Sequence, residues 1–493
     1  MILMEPPSPT TAMTGDVPAI CHTPDAPVTP AARKIVLFIG ILAGFITPFD
    51  GSAVNIALPA MGAEFHMDAI SLSWIATAYL LAAAIFLVPF GKIADIYGRK
   101  RIFLYGIAIF TAASFIITMV PTTNMLIAVR IVQGFGGALI YGTSIAILTS
   151  VFPQRERGKA LGIYITAVYF GLTLGPFLGG VLTEYFGWRS IFFVNVPIGI
   201  LACILILWKL DGEWAECKGE RFDLLGSVIY AGALIAVMYG FSLVPDSTGI
   251  ILVVAGIITG IGFALYEMRI PAPVLDMRLL FNNRVFAFSN LAALIIYSAT
   301  FAMMFLLSLD LQYTKGFSPE YAGLILIIEP AIMACVSPFA GRLSDRIDPQ
   351  IVASAGMGFT VIGLFLLCFL TESTPLWYII LSLVVCGIGF GLFSSPNTNA
   401  IMSAVEKKYY GVASGMNGTM RIVGQMLSMG IAMMIFSIII GRVEITPEYY
   451  ALFIESLHYA FILFTILCIF GIAASLMRRK QEPVAGVPTS RPK

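Results

Sequence analysis

Charge is what this chain most lacks. Asp, Glu, Lys and Arg make up only 12% of its 493 residues, against about 25% in a soluble globular domain. With a mean hydropathy of +0.91, a water-exposed body of this length is excluded. Histidine is scarcer still: His22, His66 and His458 are too far apart in the sequence to suggest a ligand cluster and read as surface or interfacial residues. The seven cysteines are scattered, and Cys203, Cys335, Cys368, Cys386 and Cys468 fall inside apolar runs, so neither a disulfide framework nor a metal spacing follows. No GxxxxGK[ST] loop is present, which argues against a nucleotide-driven pump, and no nucleophile constellation argues for a membrane enzyme. The net charge of +1 gives no reason to expect a nucleic-acid partner, and nothing calls for a cofactor. Residues 1–32, rich in Pro, Thr and Ala, have no basic start followed by an apolar core, and read as a disordered tail rather than a cleaved signal peptide.

What the chain has in place of charge is long apolar runs. Hydrophobic residues are 58% of the total, enough for fourteen spans at ~20 residues each. The runs fall near 34–60, 70–90, 102–120, 124–151, 159–183, 190–208, 224–244, 250–267, 285–310, 320–340, 351–371, 375–402, 411–440 and 452–477. They are continuous rather than alternating, so the fold expected is an all-α polytopic membrane protein and not a β-barrel. An even count puts both termini on one side. Basic residues choose that side: Arg33, Lys34, the Lys92 to Arg101 turn, Arg155, Lys159, Lys209, Arg221, Arg278, Arg342 and Lys407 fall at alternate connections, whereas the opposite connections hold only Arg189, Lys315 and Arg442. This imbalance predicts cytoplasmic termini.

The string GKIADIYGRKR at residues 91–101 packs four cations and a carboxylate between two apolar runs. Gly91 and Gly98 permit a sharp reversal, and Asp95, Arg99 and Lys100 can pair with neighbouring helix ends, so the string reads as a conformational latch rather than a plain solvated loop. A weaker copy, GRLSDRID, recurs with Gly341, Asp345 and Arg346 in matching places. Two copies, each following an apolar helix, are what an internal duplication leaves behind. The expected organisation is a cytoplasmic tail over 1–32, a six-helix bundle over 33–210, a linker with two additional helices over 211–284, a second six-helix bundle over 285–477 and a tail over 478–493.

These strings, together with FDGSAVNIALPAM (49–61), WIATAYLL (74–81), RIVQGFGGALI (130–140), GLTLGPFLGG (171–180), WRSIFFVNVPIGI (188–200) and SPNTNAI through GMNGTMRIVGQ (395–425), occur in an order that resembles the major facilitator superfamily. Within it the chain is similar to the fourteen-helix drug:proton antiporters of the EmrB/QacA type, and the resemblance covers roughly residues 34–477. It implies two six-helix bundles with two extra helices between them, and a multidrug exporter that exchanges small organic molecules for protons in the cell membrane. It also implies no enzymatic activity, and function as a monomer.

Several intramembrane polar residues then acquire expected roles. A carboxylate at membrane depth costs on the order of 2.5–3.5 kcal/mol, so Asp50 is either coupling machinery or a simple helix-to-helix hydrogen bonder, and the resemblance favours coupling. Arg130 needs an acidic or carbonyl partner unless it snorkels, and the resemblance links it to protons; Gln133 lies on the same helix face at i+3. Gly171, Gly175 and Gly179, with Pro176 and Gly180, form a small-residue stripe that suits close packing or bending, and in the resemblance marks antiporters rather than symporters. Asp310, Glu329 and Arg421 are charges in spans nine, ten and thirteen. Asp310 and Glu329 depart from the family pattern; a cavity carboxylate would favour cationic ligands, whereas a place just before Lys315 would put Asp310 at the outer interface. Other readings of the whole chain are a dedicated exporter or symporter of an amino acid, peptide or siderophore-like metabolite, and a non-transporting sensor or scaffold.

Overall fold

The computed structural model describes residues 30–477 apart from 211, 216–218, 272, 345, 407 and 408. Asp345 and most of the two expected tails thus lie outside the described residues. Among the described residues, fourteen helices are long and apolar enough to cross a membrane. In hydrocarbon a backbone must satisfy its own hydrogen bonds, and helices do this span by span. The first half is α1 (Pro30–Phe65), α2 (Ala69–Tyr97), α3 (Arg99–Ile117), α4 (Thr123–Val151), α5 (Gln154–Phe186) and α6 (Arg189–Lys209). A hairpin follows, α7 (Leu224–Leu243) and α8 (Ser247–Glu267), then the short α9 (Met277–Asn282) in the linker. The second half comprises α10 (Arg284–Leu309), α11 (Pro319–Leu326) with α12 (Ile328–Ser344) as one interrupted span, α13 (Pro349–Leu367), α14 (Leu376–Ser403), α15 (Tyr410–Ile439) and α16 (Tyr450–Leu476). Polar caps set several starts: Asp68 accepts from the Ser71 amide at 2.7 Å, Asp223 from Gly226 at 3.0 Å and Asn283 from Phe286 at 3.0 Å.

Lipid gives helices little hydrophobic reason to associate, so close packing at small residues holds the bundle together. The glycine stripe of α5 does this against α1. A methyl on Gly175 would stand 1.8 Å from Ser52 Oγ, and one on Gly179 would stand 2.8 Å from Ala53 Cα. Gly171, Gly175 and Gly179 therefore pack helices inside the first half, whereas Pro176 and Gly180 face the second: Gly180 abuts Pro319 and Glu320, and Gly323 abuts the Pro176 carbonyl. Beside that seam Ser308 Oγ donates to the Asn55 carbonyl at 2.8 Å and Gln312 donates to the Ile56 carbonyl at 3.0 Å. The α7–α8 hairpin packs beside α2 and α15.

The basic turn differs from its expected shape. Helix α2 continues through Gly91 to Tyr97, and α3 begins at Arg99, so the reversal is one residue, Gly98, at φ 121°. Arg99 donates to Asp95 at 2.8 Å and to Ser150 near the end of α4 at 2.6 Å. Two acidic residues of the α6–α7 linker complete the arrangement: Glu213 accepts from the Lys100 amide at 2.8 Å, and Glu220 pairs with Lys92. At the second copy, the Arg346 side chain is exposed and forms no ion pair among the described residues. A methyl on Gly98 would lie 2.4 Å from Glu213 Cδ, on a backbone that side chains rarely adopt, while a methyl on Gly91 meets nothing within 4 Å. Gly98→Ala is therefore expected to cost about 1–3 kcal/mol of stability and Gly91→Ala nothing. Thermal unfolding of the two variants in detergent checks the order, and equal midpoints would contradict it.

Candidate transport cavity and buried ion pair

Asp50 sits in α1 after Pro48, a residue that removes one helical hydrogen bond, and its carboxylate points away from lipid into the first half. It is 0% exposed. Arg130 Nη1 donates to Oδ2 at 2.7 Å, while Gln133 at 3.0 Å and Asn195 at 2.9 Å both donate to Oδ1. Arg130 donates further to the Gln133 side-chain carbonyl at 2.6 Å and to the Ile75 carbonyl at 3.1 Å, and its guanidinium lies 4.6 Å from the Tyr79 ring centre. Gln133 closes the network on Ser114 at 2.9 Å. Every charge in the cluster is thus paired and hydrogen-bonded, the condition under which a buried ion pair is tolerated. Arg130 does not snorkel. Asn195, on α6, was not singled out by sequence reading; an amide in the apolar string FFVNVPIG was the available signal.

Between the halves lies a cavity lined by Tyr79, Gly51, Ser52 and Asn55 from the first half and by Glu329, Phe390, Arg421 and Gln425 from the second. Tyr79 is shared: it lines the cavity and covers Arg130, so one ring separates the open space from the buried pair. Asp50 itself does not line the cavity; its chain neighbours Gly51 and Ser52 do. Polar contacts between halves, such as Ser308 to Asn55 and Tyr185 to Glu320, cluster toward the end remote from the basic turn. Nearer the basic end Gly158 and Gly162 of α5 and Gly411 and Gly415 of α15 look onto open space.

Of the charges in the second half, Glu329 and Arg421 reach the cavity and Asp310 does not. Asp310 opens a π-helical turn, Asp310–Thr314, that ends α10. It is 1% exposed, and one oxygen accepts from Thr314 at 2.5 Å while the other has no partner. Its carboxylate is buried at the end of α10, away from the cavity. Among the described residues no cluster of three or more His, Cys, Asp or Glu is arranged to hold a metal.

The sequence profile of the Major Facilitator Superfamily matches residues 40–428 and 289–493. The chain belongs to this superfamily. Among curated relatives of this facilitator, the riboflavin transporter RibZ of Clostridioides difficile is 33% identical over 79% of the chain and 85% of its own length. The multidrug resistance protein Stp of Mycobacterium tuberculosis is 32% identical over 78% and 73%, and the cephamycin export protein CmcT of Amycolatopsis lactamdurans 31% over 79% and 82%. In fold the facilitator resembles an inward-facing, unoccupied bacterial homologue of the lysosomal transporter Spinster, with a TM-score of 0.67 at 15% identity over 92% of this chain and 98% of that one.

Proposed function

We propose that this facilitator is a proton-coupled antiporter of the fourteen-helix drug:proton type. It exports amphipathic organic compounds across the cell membrane, works as a monomer and keeps both termini in the cytoplasm. The observation that carries the reading is the Asp50–Arg130 pair standing behind Tyr79, a residue of the cavity wall. Protonating Asp50 strips Arg130 of its counter-charge, and an uncompensated buried charge costs about 3–5 kcal/mol, which favours rearrangement of the halves. One proton moving through 100 mV supplies ~2.3 kcal/mol, a comparable amount. Coupling and binding are thereby divided: the buried pair senses the proton, while Glu329 and Arg421 meet the substrate. Basic-residue asymmetry supports a cavity that opens to the cytoplasm, the loading side of an exporter. The drug-resistance and export relatives support the same direction.

A second reading, export of one dedicated metabolite, is favoured by the likeness to a riboflavin transporter. Proteoliposomes under an imposed pH gradient separate the two, with ethidium, rhodamine 123, rhodamine 110 and riboflavin as the panel. Gradient-driven movement of several unrelated members is the expected result. Movement of riboflavin alone selects the dedicated reading, and no movement of any compound removes both.

A further inference from the structure

Two side chains of opposite charge type, Arg421 and Glu329, face the cavity without an ion-pair partner among the described residues. Arg421, on α15, forms no ion pair among the described residues; three phenols line the cavity with it, Tyr297 of its own half and Tyr141 and Tyr169 of the other. Its guanidinium lies 5.7 Å from the Tyr297 ring centre. Neutral phenols and rings attract a cation but do not cancel its charge. Glu329, on α12, likewise lines the cavity with no hydrogen bond or ion pair from its side chain among the described residues, and it is not within salt-bridge distance of Arg421. Unpaired charges at membrane depth are costly and mark ligand paths. A purely cationic ligand would satisfy Glu329 while bringing positive charge toward Arg421, and a purely anionic one would do the reverse.

We propose that the preferred substrate is a planar aromatic zwitterion whose anionic group meets Arg421, whose cationic group meets Glu329, and whose ring system lies among the tyrosines. This deepens the transport reading and rests on it. It also departs from the sequence-based expectation of simple cations, because the carboxylate shares its cavity with an arginine.

Matched dyes test it by fluorescence anisotropy on the purified protein. Rhodamine 110 carries a carboxylate and a cationic xanthene, rhodamine 123 is its methyl ester and keeps only the cation, and fluorescein is anionic. Wild type is expected to bind rhodamine 110 about tenfold or more tighter than either, the worth of roughly one charge-assisted contact. Arg421→Gln should erase the preference over rhodamine 123 and Arg421→Lys retain part of it, while Glu329→Gln should erase the preference over fluorescein. Equal wild-type affinities, or a lead for rhodamine 123, overturn the proposal without reference to any variant's folding. So does a uniform loss for all three dyes in Arg421→Gln. If none of the three binds while ethidium or riboflavin is driven by the gradient, the zwitterion is overturned and export stands; if nothing is bound or moved, both fall.

Discussion

Arg130→Ala is expected to be among the most destabilising single substitutions in the membrane core, at about 3–5 kcal/mol. It leaves Asp50 buried as an unpaired carboxylate, still accepting from Gln133 and Asn195 but without its cation, and it opens a void beneath the Tyr79 ring. Asp50→Asn strands the arginine instead and adds an amide donor that faces two other amide donors. Because the two residues touch at 2.7 Å, their effects should not add. The double variant Asp50→Asn with Arg130→Gln is expected to be milder than the sum by about 0.5–3 kcal/mol. Thermal unfolding of the four proteins in one detergent gives this coupling. Strict additivity would mean that the pair contributes no mutual stabilisation.

Gly323→Ala is expected to act on the halves rather than on stability within one of them. A methyl there would sit 2.2 Å from the Pro176 carbonyl across the α5–α11 seam, so the seam at the remote end must open by about an ångström or more. Overpacking of this kind costs about 1–3 kcal/mol, borne only by the conformation in which that end is closed. The conformational equilibrium should therefore shift several-fold or more toward opening there. Spin labels at the exposed positions Tyr185 and Tyr321, in a cysteine-replaced background, are expected to show a longer distance population than in the parent. Gly358→Ala, where a methyl meets nothing within 4 Å, is the control. An unchanged distance distribution in a folded Gly323→Ala protein would contradict the seam's role.

Much of the architecture was legible because apolar runs and basic breaks are local signals: every anticipated span has a helix. Helix ends were less so, since α2 carries its helix through the charged string to Tyr97 and leaves Gly98 alone to turn. The roles that depend on distant residues meeting were hidden. Nothing in the order of residues indicates that Asp50 will meet both Arg130 and Asn195, which come from α4 and α6. Glu213 and Glu220 lie far along the chain from the basic turn, and only the fold brings them onto it. Tyr141, Tyr169 and Tyr297 stand far apart in the sequence. Their common place beside Arg421 on the cavity wall arises from three helices of two halves. Asp310 was hidden in the same way: a cavity place was open to it, but a π-helical turn at the end of α10 closes its carboxylate on Thr314, away from the cavity lining.

The proposed coupling of protons to substrate movement through Asp50 is read from proteoliposomes holding wild type or Asp50→Asn, with proton flux and efflux of the best-moved dye recorded together under an imposed pH gradient. Wild type is expected to move protons against dye. Asp50→Asn is expected to exchange dye down its own gradient, which reports a folded and cycling protein, while losing the response to pH and the accompanying proton flux. Gradient-driven efflux that survives in Asp50→Asn would contradict the claim and leave the cavity carboxylate Glu329 to carry the proton.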